Sequence, residues 1–359
     1  MGSSKERILV TGGCGFIGSN YVRHLLQSSP KAQVVVLDKL TYAGHRPNLM
    51  QEEKEGRCEV VVGDIADSKK VDEIFEKYAP SSVVNFAAES HVDRSIDEPA
   101  PFLQTNVAGT FTLLEATRKY LNGAKGKEAK EFRFIHLSTD EVHGSLEPKD
   151  PPFCETSTFA PNSPYAASKA AADHLCRAYY QTYRVPTIVL RPSNNFGPYQ
   201  FPEKLIPLAI LRAIAGEKIP IYGDGKQVRD WLYVEDTARA VEAARSLGVV
   251  GEAYQVGADD EKDNRTVLEA ICDLLDRLRP RAKQRPYRDL IETVVDRPGH
   301  DRRYATNATK FKKQTGWAAK ATFGAAMEQT VRWYLDNPTW CQSVRAKGYE
   351  GQRLGLVSK

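Results

Sequence analysis

The chain is poor in the residues that build metal and disulfide frameworks. Its six cysteines, at positions 14, 58, 154, 176, 272 and 341, form no Cys-x-x-Cys pair, and no two histidines stand at a metal-ligand spacing. That scatter argues against a zinc ribbon or a disulfide scaffold and for buried, reduced thiols in a cytoplasmic protein, with no metal expected. No apolar run is long enough to span a bilayer. The opening Met1-Gly-Ser-Ser-Lys-Glu-Arg7 lacks the apolar core of a signal peptide, so the sequons at Asn264 and Asn307 read as chance. Lys and Arg exceed Asp and Glu by only four, 50 against 46, which leaves no broad surface for nucleic acid or membrane. There is no internal repeat and no low-complexity tract; the charged stretch Lys125 to Lys130 reads as a surface loop without function. What remains is a 359-residue chain of ordinary apolar and aromatic content, enough for one large or two modest cores.

The first strong signal is Arg7-Ile-Leu-Val-Thr-Gly12-Gly13-Cys14-Gly15-Phe16-Ile17-Gly18. A β-rich run feeds a turn with glycines at 12, 15 and 18, and Phe16, Ile17, Tyr21, Val22 and Leu25 then recur at helical spacing. Such glycines let the backbone bend and approach a pyrophosphate, whose charge meets the helix N-terminus. A second β-rich run, Gln33 to Leu37, ends in Asp38, twenty residues after Gly18. A carboxylate there accepts from ribose hydroxyls and repels a 2′-phosphate, which favours NAD over NADP; Lys39 beside it works weakly the other way.

The first half alternates strand and helix. Strands are expected at Cys58–Val62, Ser82–Ala88 and Arg133–Ser138, with helices near 67–78 and 100–120, which is the pattern of an α/β fold with a Rossmann-type doubly wound parallel sheet. A helix with Ser163 as N-cap and Pro164 at its first position follows, then a strand from Pro186. From about residue 192 the elements shorten and proline punctuates them. Residues 1–191 are therefore assigned to a dinucleotide-binding domain, with 231–257 returning to it. Residues 192–230 and 258–345 form a smaller substrate-binding lobe, and 346–359 a tail.

Tyr165 and Lys169 share one face of the Ser163-capped helix. An ammonium near a phenol favours the phenolate, so this tyrosine is a candidate base near neutrality. Ser138-Thr139-Asp140-Glu141 follows a strand at the end where such sheets bind ligands and adds two carboxyls, able to abstract a proton and expel water.

Longer strings carry a resemblance. Asp38–Gly44, Ala87–Ser95, Ser138–Val142, Ser193–Leu205, Arg229–Asp236 and Asp296–Tyr304, with the glycine loop and the Tyr165/Lys169 pair, resemble the nucleotide-sugar 4,6-dehydratases of the extended short-chain dehydrogenase/reductase superfamily, over about residues 7 to 335. The resemblance implies a lyase acting on a nucleotide sugar, dTDP-glucose being expected, in the supply of rhamnose or another deoxysugar. Tyr165 would take the 4-hydroxyl proton while NAD accepts the 4-hydride; Glu141 would remove the C5 proton, Asp140 would protonate the departing 6-hydroxyl, and the hydride would return to C6. Thr139 would bond the 4-hydroxyl. On the cofactor side it implies Gly12, Gly15, Phe16, Ile17 and Gly18 at the pyrophosphate turn and Asp38, Lys39, Leu40 and Thr41 after the second strand. Asp64 and Ile65 would stand at the adenine, and Phe86, Ala87, Ala88, Glu89, Ser90 and Thr105 along ribose and phosphates, with Tyr165, Lys169 and Asn195. For the substrate it implies Arg229 and Arg297 on the diphosphate, since a planar guanidinium grips phosphate bidentately. Ser90, Asn194, Lys204, Leu205, Pro220, Ile221, Tyr222, Asn264, Asp296 and His300 would lie on nucleotide or sugar. It also implies a homodimer through a bundle of the 100–120 and 164–184 helices, whose Ala108, Gly109, Ala166, Ala167, Ala170 and Ala171 permit close approach.

Two demands follow. Asp140 can act as an acid only if burial or the charge of Glu141 raises its pKa. Adjacent strand residues point to opposite faces, so both carboxyls reach one sugar only if the backbone bends after Ser138 or the sugar sits between them. The family usually has tyrosine where this chain has His143, two residues past Glu141; it reads either as a change in that carboxylate's surroundings or, the favoured reading, as a neutral surface change. A 4-epimerase or decarboxylase on the same scaffold, or a dehydratase taking UDP- or CDP-glucose, is the alternative; the former need no acid–base pair after Thr139. A non-catalytic dinucleotide sensor would not need the complete Thr139/Tyr165/Lys169 set.

Overall fold

The computed structural model describes residues 6–123 and 131–346; the surface loop expected at Lys125–Lys130 and, but for Ala346, the tail expected at 346–359 fall outside the described residues. Seven strands, β1 (Arg7–Thr11), β2 (Gln33–Asp38), β3 (Cys58–Val62), β4 (Ser82–Asn85), β5 (Arg133–Leu137), β6 (Thr187–Pro192) and β10 (Ala253–Val256), form one sheet in the order β10-β6-β5-β4-β1-β2-β3. Every pairing is parallel. Apart from the edge strand β3, the strands are buried on both faces, as parallel strands under crossover helices must be. Ile8, Val10, Val34 and Val36 meet the helices Phe16–Ser28 and Val234–Leu247 on one face. Leu9, Val35, Leu37 and Val83 meet the helices Ser68–Tyr78, Thr110–Gly123 and Pro164–Tyr183 on the other. This is the doubly wound Rossmann-type sheet that the strand–helix alternation predicts.

The glycine turn has a steric cause. Gly12 has φ +66°, and a Cβ there would lie 2.6 Å from the Ala87 nitrogen; at Gly18 it would lie 2.3 Å from the Gly12 carbonyl oxygen. The two glycines let the loops after β1 and β4 and the first helix touch backbone to backbone.

After β6 the chain builds a second lobe. β7 (Asn194–Phe196), β9 (Val228–Tyr233) and β11 (Glu261–Asp263) form a three-stranded sheet, and β8 (Ile219–Tyr222) pairs with β12 (Ile291–Val294). Trp231 to Tyr233 thus complete β9 in the small sheet, and only the helix Val234–Leu247 and β10 rejoin the large one. Alternation along β9 explains this: Leu232 packs into the main core, while Trp231 and Tyr233 pack with Phe196 in the lobe core.

The helix Pro164–Tyr183 starts as its sequence requires, the Ala166 N–H donating to Ser163 Oγ at 3.1 Å behind Pro164. Its neighbour contains a π-helical stretch, Leu103–Gly109, a departure common at functional sites. Of the small residues expected to admit a partner, Gly109, Ala166 and Ala170 are instead buried in the chain's own interior, Gly109 against Ile65. Large apolar side chains stand out on these helices: Leu103, Phe111 and Tyr183 are 58%, 47% and 53% exposed. Among the described residues no helix is long and apolar enough to cross a membrane, and no three metal-ligating side chains cluster.

The Gly18 contact yields a first prediction. Gly18→Ala drives a methyl into backbone that has no rotamer to yield, and such overpacking costs about 1–3 kcal/mol. The urea midpoint should fall accordingly, and the variant should retain less NAD through gel filtration; a wild-type midpoint with wild-type retention would refute the close-approach account.

Candidate active site

Two adjoining cavities open at the carboxyl edge of the main sheet. The first runs along the ends of β1, β2, β3, β4 and β5. Of the expected cofactor positions it is lined by Gly12, Gly15, Phe16, Ile17, Gly18, Asp38, Lys39, Thr41, Asp64, Ile65, Phe86, Ala87, Ala88, Glu89, Ser90, Thr105, Tyr165 and Lys169. Gly15 caps the Phe16–Ser28 helix with no side-chain hydrogen bond, so the first-turn N–H groups carry no capping acceptor, as an anion-binding helix start requires. The Asp38 carboxylate accepts from the Cys14 and Leu40 N–H groups at 2.9 and 2.8 Å, which fixes its direction. Lys39 pairs with Asp64 at 2.7 Å, so its pull toward a 2′-phosphate is largely spent. This donor and acceptor set fits NAD.

Two expected contacts fall outside the lining. Leu40 adopts φ +55° and packs against the main core. Asn195 turns inward, donating to the Ser193 carbonyl at 2.9 Å and accepting from Thr237 at 2.5 Å.

The second cavity lies between the sheet edge and the lobe, and Ser90, Glu203 and Lys204 line both. It brings together Glu141, Asn194, Lys204, Leu205, Pro220, Ile221, Tyr222, Arg229, Asn264, Arg297 and His300. Arg229 is buried, bonded to the Val228 and Asp301 carbonyls and stacked over Tyr304 at 4.2 Å. Arg297 pairs with Asp93 at 2.6 Å. Its Nε and the Asn194 Oδ1 are buried with no hydrogen-bond partner among the described residues, the condition of groups meant for a ligand. Asp296 does not line the cavity. It accepts from the Arg297 N–H, His300 Nδ1 and Gln227 Nε2 at 2.8, 2.6 and 2.9 Å and acts on the site through them.

Sequence reasoning passed over His91, Asp93, Glu203 and Tyr304, which also line this cavity. All four stand inside the strings quoted for the resemblance. Their burial was the missing signal: Glu203, 6% exposed, is held by Arg94 at 2.9 Å, and a Pro-Glu-Lys triplet reads locally as a solvated turn.

The turn after β5 meets the geometric demand only in part: the backbone bends, yet Thr139 and Asp140 line neither cavity. β5 ends at Leu137, and Asp140–His143 form a 3-10 turn capped by Thr139, whose Oγ1 accepts from the Glu141 N–H at 3.3 Å. The two carboxyls therefore leave a bend, not a flat strand. Glu141 faces the second cavity. Asp140 is 1% exposed, behind the wall, with Thr306 donating to its Oδ2 at 3.2 Å and Thr139 3.4 Å from Oδ1. Burial, then the charges of Glu141 and Asp230, raise the Asp140 carboxyl far above the ordinary range. Burial also raises Glu141, against the opposing pull of Lys204, Arg297 and Arg229.

The phenol departs from expectation. Burial first, then Glu141, Asp140 and Asp173, push the Tyr165 hydroxyl up, with only its hydrogen bond to Thr139 opposing. Lys169 donates to the Leu137 carbonyl at 2.6 Å, and burial lowers its own pKa to about 8. Helical spacing placed the pair on one face; the surrounding carboxyls and desolvation decide the charge, and here they outweigh the ammonium.

His143 is not on the surface. It is 4% exposed, between Phe153 and Phe159 with ring centroids at 5.0 and 5.3 Å. Its Nδ1 donates to the Thr158 carbonyl at 3.2 Å, and its Nε2 accepts from Gln255 at 2.7 Å. The ring fills a core position and makes two specific hydrogen bonds.

Comparison with known proteins finds relatives over nearly the whole chain. A family model described as GDP-mannose 4,6 dehydratase matches residues 9–330. The dTDP-glucose 4,6-dehydratase of Neisseria meningitidis serogroup B is 51% identical over 352 residues, covering 98% of this chain and 99% of its own. The crystal structure of the dTDP-glucose 4,6-dehydratase of Bacillus anthracis, in complex with NAD, superposes with a TM-score of 0.83 at 43% identity over 94% of this chain and 99% of that one. That of the Streptomyces venezuelae enzyme of the same name, with NAD and dTDP bound, gives 0.86 at 40% identity over the same shares.

Burial predicts an acid-side loss of stability. His143 and His300 are both lowered to about 4, first by burial, against about 6.5 when unfolded. Between those values the unfolded chain takes up protons that the folded chain refuses, so stability falls as pH falls. Urea midpoints at about pH 7 and about pH 5 should show this decline, and His143→Gln, which cannot titrate, should lessen it; an unchanged pH dependence in that variant would exclude His143 as a source.

Proposed function

Because the chain belongs to the GDP-mannose 4,6 dehydratase family, we propose that it removes water from dTDP-glucose to give dTDP-4-keto-6-deoxyglucose, using bound NAD. The observation that carries this reading is the pair of upward-shifted carboxyls, Asp140 and Glu141, on the turn capped by Thr139. Bound NAD, held by the glycine turn and Asp38, would supply the hydride acceptor for C4 and the hydride donor for C6. Tyr165 Oη, bonded to Thr139, would take the proton of the sugar 4-hydroxyl as a phenolate, a form that burial and the nearby carboxyls oppose and that the cationic charge of bound NAD would have to favour. The resulting ketone acidifies C5–H, and Glu141, a stronger base than an ordinary carboxylate, removes that proton and later returns it. Asp140, kept neutral by burial and by the charge of Glu141, would protonate the departing 6-hydroxyl, which requires that the bound sugar reach past the cavity wall to it; water then leaves and no net redox change remains.

Arg229, Arg297 and Lys204 supply the cations for the diphosphate, and the free Arg297 Nε and Asn194 Oδ1 are the open partners. Pro220 to Tyr222 and Asn264 wall the nucleoside side. The division into a dinucleotide-binding sheet and a sugar-nucleotide lobe belongs to this reading. So do a cytoplasmic setting, a role in deoxysugar supply and a homodimer through the face bearing Leu103, Phe111 and Tyr183.

A 4-epimerase or decarboxylase would use Tyr165 and Lys169 without the carboxyl pair. Incubating the purified protein with dTDP-glucose should produce the alkali-induced absorbance of a 4-keto sugar, and silence with dTDP-, UDP- and CDP-glucose alike would overturn the dehydratase reading. Asp140→Asn should slow water loss by about 10²-fold or more while C4 oxidation still appears as transient NADH absorbance. Unchanged turnover would remove Asp140 from the mechanism.

A further inference from the structure

The mechanism leaves unused a row of polar side chains buried under the Tyr165 helix. Thr11, Asn85 and His136 are register partners across β1, β4 and β5, and Arg191 stands on β6 two residues beyond Val189, the register partner of His136. Thr11 Oγ1 donates to Asn85 Oδ1 at 2.6 Å, which makes the other Asn85 group the donor to His136 Nδ1 at 3.1 Å. The His136 ring proton is therefore on Nε2, 3.9 Å from Asp173 Oδ1. Asp173 Oδ2 accepts from Arg191 Nε at 2.7 Å. His136, Asp173 and Arg191 are 0%, 3% and 6% exposed, and Lys169, one helical turn before Asp173, is 3% exposed. At 3.9 Å His136 Nε2 and Asp173 Oδ1 do not bond, and both are buried with no hydrogen-bond partner among the described residues.

A buried ion pair is a poor source of stability, and packing alone would be served by apolar side chains here. The row does meet a need of Lys169, whose hydrogen bond goes to a neutral carbonyl, that of Leu137. We propose that Asp173 is a positioning residue for Lys169: clamped by Arg191 and faced by the His136 N–H, its carboxylate keeps the Lys169 ammonium charged, and so sets the upper pH limit at which the Tyr165–Lys169 pair works. This deepens the dehydratase reading and rests on it.

The charges around the lysine agree. Burial lowers Lys169 and Asp173 opposes that effect. Cys176, on the same helix, is pushed up by burial and stays a neutral thiol. Burial, with Lys169 and Arg191, keeps His136 neutral. On the other elements packed against this helix, Asp140 and Glu141 act on Tyr165. Glu115 is held by Arg118 and Tyr179, and Asp93 and Arg94 are paired with Arg297 and Glu203.

Removing the carboxylate destabilises the ammonium, so the lysine loses its proton at lower pH. In the pH profile of kcat/KM for 4-keto sugar formation, Asp173→Asn should move the alkaline limb down by about one pH unit or more, and Asp173→Glu should restore it. Asp173→Ser, which removes the charge without setting an amide donor against Arg191, should give the same downward shift and serves if the asparagine variant does not fold. Thermal midpoints are read alongside. A lower midpoint with the limb in place marks a purely structural role and overturns the inference, as does a limb unmoved in a folded variant. Wild-type protein that forms no 4-keto sugar overturns the function instead, a separate outcome.

Discussion

Parallel pairing sends the carboxyl end of every strand in the main sheet to one edge, and the chemistry of this chain collects there. The loops after β1 and β4 lie at the point where the chain turns from one half of the sheet to the other, the place where such sheets open a crevice. They are so close that a methyl at Gly12 would strike the Ala87 backbone. From that contact follow the helix start with open N–H groups, the fixed Asp38 and the approach of Ser138 and Tyr165 from the far side. A single reversed strand would remove one wall of the cavity.

Desolvation, more than any individual ion pair, sets the protonation states. It raises Asp140, Glu141 and Tyr165 and lowers Lys169, each group being driven toward its neutral form. The lobe supplies the counterweight: Lys204, Arg229 and Arg297 oppose the rise of Glu141. Two neighbouring carboxyls thus differ because one is sealed behind the wall and the other faces cations. The cations are themselves restrained, Arg297 by Asp93 and Lys204 by the Ser90 carbonyl at 2.7 Å, which limits the cost of gathering them.

The two lobes are coupled by β9. Leu232 belongs to one core while Trp231 and Tyr233 belong to the other, so Arg229, on the same strand, is carried by both. Asp296 does a similar task for the loop of Arg297 and His300, joining it to Gln227 at the start of β9. Neither device touches the cavity surface in a way that a motif announces, yet both determine where the cations stand.

Short-range rules were sufficient for much of this. The glycine turn, the Ser163 cap, the alternating strands and the acidic end of β2 are all written within a few neighbouring residues, and the lining of both cavities lies largely within strings legible as a family pattern. What the sequence could not express was burial. Tyr165 and Lys169 read as a lysine-assisted base, yet the charge state belongs to Glu141, Asp140 and a dry interior; His143 read as surface and is core; Asn195 read as a contact and turns away. Asp140 owes one hydrogen bond to Thr306, 166 positions distant. Helical and strand periodicity are decided by adjacent residues and so can be read along the chain, whereas the free energy of a charge depends on everything that displaces water around it, and that is decided only when distant segments meet.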